Sequence, residues 1–151
     1  MNSLEIKVAP AQDNHYPKWI PLWSAYQDFY KVCLSEQTTK TTWKRFFDDS
    51  EPIFIAVAIK GEELLGFVHY VIHRSTWAEE NFCYLEDLYV SPGNRGQRVG
   101  KRLIEFVKQQ AISTNCARLY WHTQENNHTA QKLYNWVAEK PGVIEYRVYL
   151  K

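Results

Sequence analysis

The sequence has no excess of either charge. Eighteen Lys and Arg stand against 17 Asp and Glu, a formal net charge of +1, so the basic stripe of a nucleic-acid binder is missing. It has no apolar run of about 18 residues, the length a membrane span needs. The opening stretch MNSLEIKVAP lacks the apolar core of a secretory signal, and a cytoplasmic location is expected. Cysteines are few, odd in number and far apart (Cys33, Cys83, Cys116). With no CxxC pair they suggest neither a disulfide framework nor a zinc site, but reduced, partly buried thiols. Low-complexity tracts, internal repeats and linkers are also missing. Aromatics are plentiful: 15% of residues, with 6 Trp and 10 Tyr among the 151. One domain over residues 1–151 is the expected organisation, and a chain this long buries roughly two thirds of its unfolded surface without a staple.

Hydrophobic spacing gives the element order. Leu4 to Val8 alternates as a half-buried strand does. Asp13 and Asn14 are helix-capping residues ahead of Leu22, Tyr26, Phe29, Tyr30 and Cys33 at helical spacing, with Pro17 and Pro21 restricting the start. Thr42 to Phe47 suggests a short second helix. Ile53–Ile59 and Leu64–Ile72 read as a hairpin around Lys60 to Glu63, and Phe82–Val90 as a further strand. Val99, Leu103, Phe106, Val107 and Ala111 share a helix face. A strand from Ala117 to Thr123, a helix capped by Asn127 and a last strand from Val143 to Leu150 complete the chain. The order β-α-α-β-β-β-α-β-α-β implies an α/β (α+β) fold with a mixed, mostly antiparallel central sheet flanked by helices.

The chemistry is concentrated after Val90. The segment SPGN leads into Arg95-Gly96-Gln97-Arg98-Val99-Gly100 and then a helix. The first amides of a helix have no internal partner and carry the positive end of its dipole, which suits an anion. Gly96 and Gly100 allow close backbone approach, and Arg95, Arg98, Lys101 and Arg102 add full charges. A pyrophosphate bearing a further phosphate fits this cluster; an ordinary strand-to-helix turn with solvated arginines is the plainer reading of spacing alone. Neither GxxxxGK[ST] nor GxGxxG is present, so a phosphate-bearing cofactor of another type is indicated.

These residues resemble the GNAT superfamily of acyl-coenzyme A N-acyltransferases, whose motif [Q/R]xxGx[G/A] falls on Arg95–Gly100. Arg98 stands where that family has glycine. The strand YLEDLYV is similar to those of polyamine and amino-acid acetyltransferases, and Asn127 and Tyr134 lie seven apart in NNHTAQKLY, as in the family's second coenzyme motif. The resemblance covers nearly the whole chain and is strongest from Tyr84 to Tyr134. It implies acetyl-CoA as cosubstrate, with no metal, and acetyl transfer to a primary amine (a small polyamine, an amino acid or a lysine side chain) by direct attack in a ternary complex. It further implies that Leu88, Tyr89, Val90, Arg95, Gly96, Gln97, Arg98, Val99, Gly100, Lys101, Asn127 and Tyr134 contact the coenzyme, that an N–H of Leu88 to Val90 stabilises the oxyanion, and that Tyr134 protonates the leaving thiolate.

An alkyl ammonium with a pKa near 10.4 lies about 3 units, or about 4 kcal/mol, from its nucleophilic form at pH 7, so a base or a desolvating site must help. Glu86 is the candidate. A structural ion pair is its plainer reading, and on a regular strand Asp87 would point to the opposite face unless a bulge intervenes. Tyr134 and the Trp19-to-Trp43 aromatics equally suit a core. His69 and His73 are four apart on a strand and do not form a helical metal pair; Ser75, Ser91 and Ser113 lack a triad pattern. A non-catalytic acyl-CoA sensor, suggested by Arg98, is the alternative, and a purely structural role for the aromatics the weakest reading. Expected partners are an amine acceptor and, through the C-terminal strand, a second copy in a homodimer; no nucleic acid or membrane is expected.

Overall fold

A computed structural model describes residues 5–151. They form two compact units, divided after Trp121. The first carries β1 (Ile6–Pro10), α1 (Tyr16–Phe29) after a short 3-10 turn, α2 (Glu36–Phe46), β2 (Ile53–Lys60), β3 (Glu63–His73), β4 (Phe82–Val90), α3 (Val99–Ser113) and β5 (Arg118–Trp121). The strands form one sheet in the order β1-β2-β3-β4-β5. All neighbours are antiparallel except β4 and β5, which are parallel.

Period-two alternation sends two sets of side chains to opposite faces of this sheet. Ile55, Val57, Phe67 and Tyr89 join Trp19, Trp23 and Trp43 of α1 and α2 in one core. Trp19 is fully buried and its ring lies 4.8 Å from that of Trp43. The aromatic stripe is thus packing, as its spacing allowed. On α3 the buried face is Val99, Leu103, Ile104, Val107 and Ala111. Pro17 is accommodated in the first turn of α1, where no intrahelical bond is lost, and Pro21 lies inside the helix. Ser35 caps α2 by accepting from the Thr38 amide at 3.0 Å. Gly66 has a packing reason: a Cβ there would meet the Tyr89 carbonyl oxygen at 2.5 Å.

The second unit, residues 122–151, contains α4 (His128–Val137). Asn127 Oδ1 accepts from the Ala130 amide at 3.3 Å, the cap its position indicated. The strand expected at Val143–Leu150 does not form. A strand needs a ladder partner, and residues 138–151 carry no regular structure. Val143, Ile144, Tyr146, Val148, Tyr149 and Leu150 are each 76–89% exposed. The first strand is also shifted, ending at Pro10 rather than Val8, and Leu4 lies outside the described residues.

The cysteines are free, as expected, but not uniformly buried. Cys33 is exposed, Cys116 partly covered and Cys83 buried. Burial, with a smaller contribution from Cys116, pushes the Cys83 thiol up to about 12.

Candidate active site

Three features of the first unit converge on β4. The first is a bulge. Across β3 and β4, His69 pairs with Asp87 but Tyr70 pairs with Leu85, so Glu86 is the extra residue. Alternation from Phe82 and Tyr84 carries Glu86 to the α1 face. After the extra residue Asp87 falls on that face too, where it bonds His69. The opposite-face placement that a regular strand would give is therefore corrected: both carboxylates look the same way. Glu86 remains substantially exposed and forms no ion pair among the described residues. Burial of part of its carboxyl, then the Asp87 charge, raises its pKa above the ordinary glutamate value.

The second feature is an open strand edge. The parallel ladder with β5 ends at Leu85 and Trp121, while β4 runs on to Val90. Among the described residues the strand ladder of Leu88, Tyr89 and Val90 runs only to β3. Their other edge has no β5 partner, and backbone groups there can meet an amide-bearing ligand.

The third is the strand-to-helix loop. Arg95 returns to the strand, donating Nε–H to the Val90 carbonyl at 3.1 Å and holding its guanidinium 5.9 Å from the Tyr89 ring centre. Gly96 has φ +88°, a conformation natural to glycine. Arg98 has φ 59° and ψ 24° and occupies the N-cap of α3. Although the glycine is absent, Arg98 takes the left-handed conformation that glycine favours, so the turn keeps its shape and the α3 amides still start at Val99. Beside it an open recess of about 570 Å³ runs along α3 toward Val8 of β1, lined by Gln97, Arg98, Lys101, Arg102, Glu105, Phe106 and Gln109, so that one carboxylate stands among three cations. Left-handed backbone, a helix start and three cations around an open recess fit the phosphates of a coenzyme.

Asn127 and Tyr134 belong to the second unit. Asn127 is committed to capping α4, and Tyr134 is half-buried, with its carbonyl accepting from the Ala138 amide at 2.9 Å.

A scan of family models matches residues 19–136 to the acetyltransferase (GNAT) family. The chain belongs to that family. It is an acyl-CoA-dependent N-acetyltransferase, with acetyl-CoA as its cosubstrate. Among curated relatives, the D-amino-acid N-acetyltransferase of Saccharomyces cerevisiae is 37% identical over 131 residues, covering 85% of this chain and 81% of the relative. The thialysine N-epsilon-acetyltransferase of Mus musculus is 31% identical over 93 residues, 58% of this chain and 54% of that protein. Among solved structures, an aminoglycoside N-acetyltransferase in complex with CoA superimposes with a TM-score of 0.83 at 18% identity, covering 97% of both chains. The ribosomal-protein-alanine N-acetyltransferase of Brucella melitensis gives 0.81 at 17%, over 97% of this chain and all of that one. At these identities the two structures attest the GNAT fold.

Sequence reading missed one part of this N-acetyltransferase. His69 is 3% exposed; its Nδ1 lies 2.9 Å from Asp87 Oδ2 and its Nε2 is 3.1 Å from the Trp19 indole nitrogen. Tyr26 also hydrogen-bonds Asp87; burial first, and Asp87 second, drive its phenol far above the usual range. The available signal was a histidine inside the apolar run Leu64–Ile72, on the same parity as Phe67.

Proposed function

We propose that the chain acetylates the primary amine of a small cationic acceptor (a polyamine, an amino acid or a lysine side chain) by direct attack within a ternary complex. The observation that carries this reading is the β4 bulge, which turns Glu86 and Asp87 to one face beside an unpaired strand edge. Two carboxylates attract an ammonium, and the raised pKa of Glu86 brings its proton affinity closer to that of the amine it must deprotonate. The D-amino-acid and thialysine acetyltransferases among the relatives support a small amino compound as acceptor.

Acetyl-CoA, when bound, supplies an activated thioester. The chain's own residues do the rest. Gln97, Arg98, Val99, Gly100 and Lys101, with Arg95 and Gly96, hold the phosphates through amides and charge. The free edge of Leu88 to Val90 pairs with the pantetheine amides and offers an N–H to the developing oxyanion. Glu86 takes the ammonium proton on its carboxylate, directly or through one water. Asn127 steadies the pantetheine arm while capping α4; as the new C–N bond replaces the C–S bond, Tyr134 gives its phenolic proton to the departing sulfur and regains one as the attacking nitrogen sheds its second proton. Residues 1–151 act as one catalytic domain, cytoplasmic and independent of nucleic acid, in a homodimer whose Val143–Leu150 segments find a ladder across the interface; the exposed apolar residues of that segment favour such pairing.

The test is release of free thiol from acetyl-CoA with a panel of amines: polyamines, D- and L-amino acids and a lysine peptide. Turnover with at least one cationic primary amine is expected. Coenzyme binding without turnover on any amine would contradict the reading.

A further inference from the structure

The transfer steps above leave His69 without a role, yet its surroundings are specific. Four aromatic rings enclose the imidazole, with centroid distances of 4.5 Å to Phe67, 4.8 Å to Phe46, 5.1 Å to Trp23 and 5.8 Å to Trp19. An indole N–H can only donate. Trp19 therefore donates to Nε2 of His69, which must carry a lone pair. The ring proton is on Nδ1, and Nδ1–H donates to Asp87 Oδ2 at 2.9 Å. The chain of donors has one direction, from Trp19 through His69 to Asp87, and the neighbouring ring selects the tautomer.

We infer that His69 is a positioning residue for acetyl transfer: as the Nδ1–H tautomer selected by Trp19, it holds the Asp87 carboxylate beside Glu86 on the face that receives the acceptor ammonium. The inference rests on the reading that Glu86 and Asp87 meet the amine. An unanchored aspartate next to a bulge rotates freely about its side-chain bonds. A donor fixed between packed rings removes that freedom before substrate arrives. The titratable groups facing Asp87 are His69 from β3, Tyr26 and Tyr30 from α1, and Glu86 within β4, with Tyr84 acting on Tyr26. Among the described residues none of these is a permanent cation, which leaves this face suited to an ammonium.

Two substitutions separate the two hydrogen bonds. His69→Asn places an amide N–H near the Nδ1 position and keeps the bond to Asp87 while losing Trp19. His69→Gln reaches the Nε2 position, keeps an acceptor for Trp19 and loses the bond to Asp87. In steady-state assays across pH, His69→Gln is expected to lower kcat/KM for the amine about tenfold or more with the KM for acetyl-CoA unchanged. Its acid limb should move to lower pH, because a displaced Asp87 charge no longer raises Glu86. His69→Asn should stay within about threefold of the parent with the limb in place, although both variants lose one buried hydrogen bond and lower Tm alike. Parallel loss in the two variants, tracking Tm, would overturn the inference, as would a fully active His69→Gln. Asp87→Asn distinguishes the levels: no effect on amine kcat/KM removes the underlying reading, whereas a loss there with His69→Gln intact removes only the role of His69. Should the variants fail to fold, nitrogen NMR of the wild-type protein decides, with a protonated Nδ1 and bare Nε2 expected at neutral pH and the opposite tautomer overturning the assignment.

Discussion

Arg98 carries a measurable cost. A residue with a Cβ at φ 59° is held in the left-handed region at about 1 kcal/mol relative to glycine. Arg98→Gly is therefore expected to raise Tm by about 2–4 °C, read by thermal melting, while calorimetry shows coenzyme A affinity changed only modestly. Tyr134 is tested by removal of its hydroxyl alone. With Tyr134→Phe packing survives, coenzyme affinity holds, and turnover should fall at least about tenfold, since general acid catalysis contributes about 10² to 10⁴; steady-state rates against coenzyme titration check this. The turn from Arg95 to Gly100 and the start of α3 were legible because glycine spacing reports backbone shape directly. The partner of Asp87 was not. Which histidine meets which carboxylate depends on strand register, and His69 lies 18 positions away in the chain.

At the scale of elements, β3 and β4 form the working pair. Their close approach at Gly66 predicts that Gly66→Ala lowers stability by about 1–3 kcal/mol, seen as a reduced denaturant midpoint. Because the same pair fixes the bulge, amine kcat/KM should fall as well. The hairpin and β4 were readable from alternation and turn residues. The bulge was not, since one unmatched residue leaves the apolar pattern of FCYLEDLYV unchanged while altering where Glu86 and Asp87 point. The Val143–Leu150 segment shows the converse. Its alternation reads as a strand, but pattern supplies only half of a ladder, and it pairs with no strand among the described residues.

For the whole molecule, that segment predicts association. Light scattering should give a dimer for the full chain, and a double substitution of Tyr146 and Val148 to Lys should shift it toward monomer without changing α-helical circular dichroism; a monomeric parent chain would contradict the homodimer. The proposed mechanism turns on one proton, which Glu86 would take on the face it shares with Asp87. The most direct measurement is kcat/KM for the preferred amine, across pH, in the parent protein and in Glu86→Gln. The account predicts a loss of about 10² or more with the KM for acetyl-CoA retained. In the parent, an acid limb should stand above the ordinary glutamate value, as burial and Asp87 require. A Glu86→Gln enzyme within about threefold of the parent and with an unchanged acid limb would contradict it.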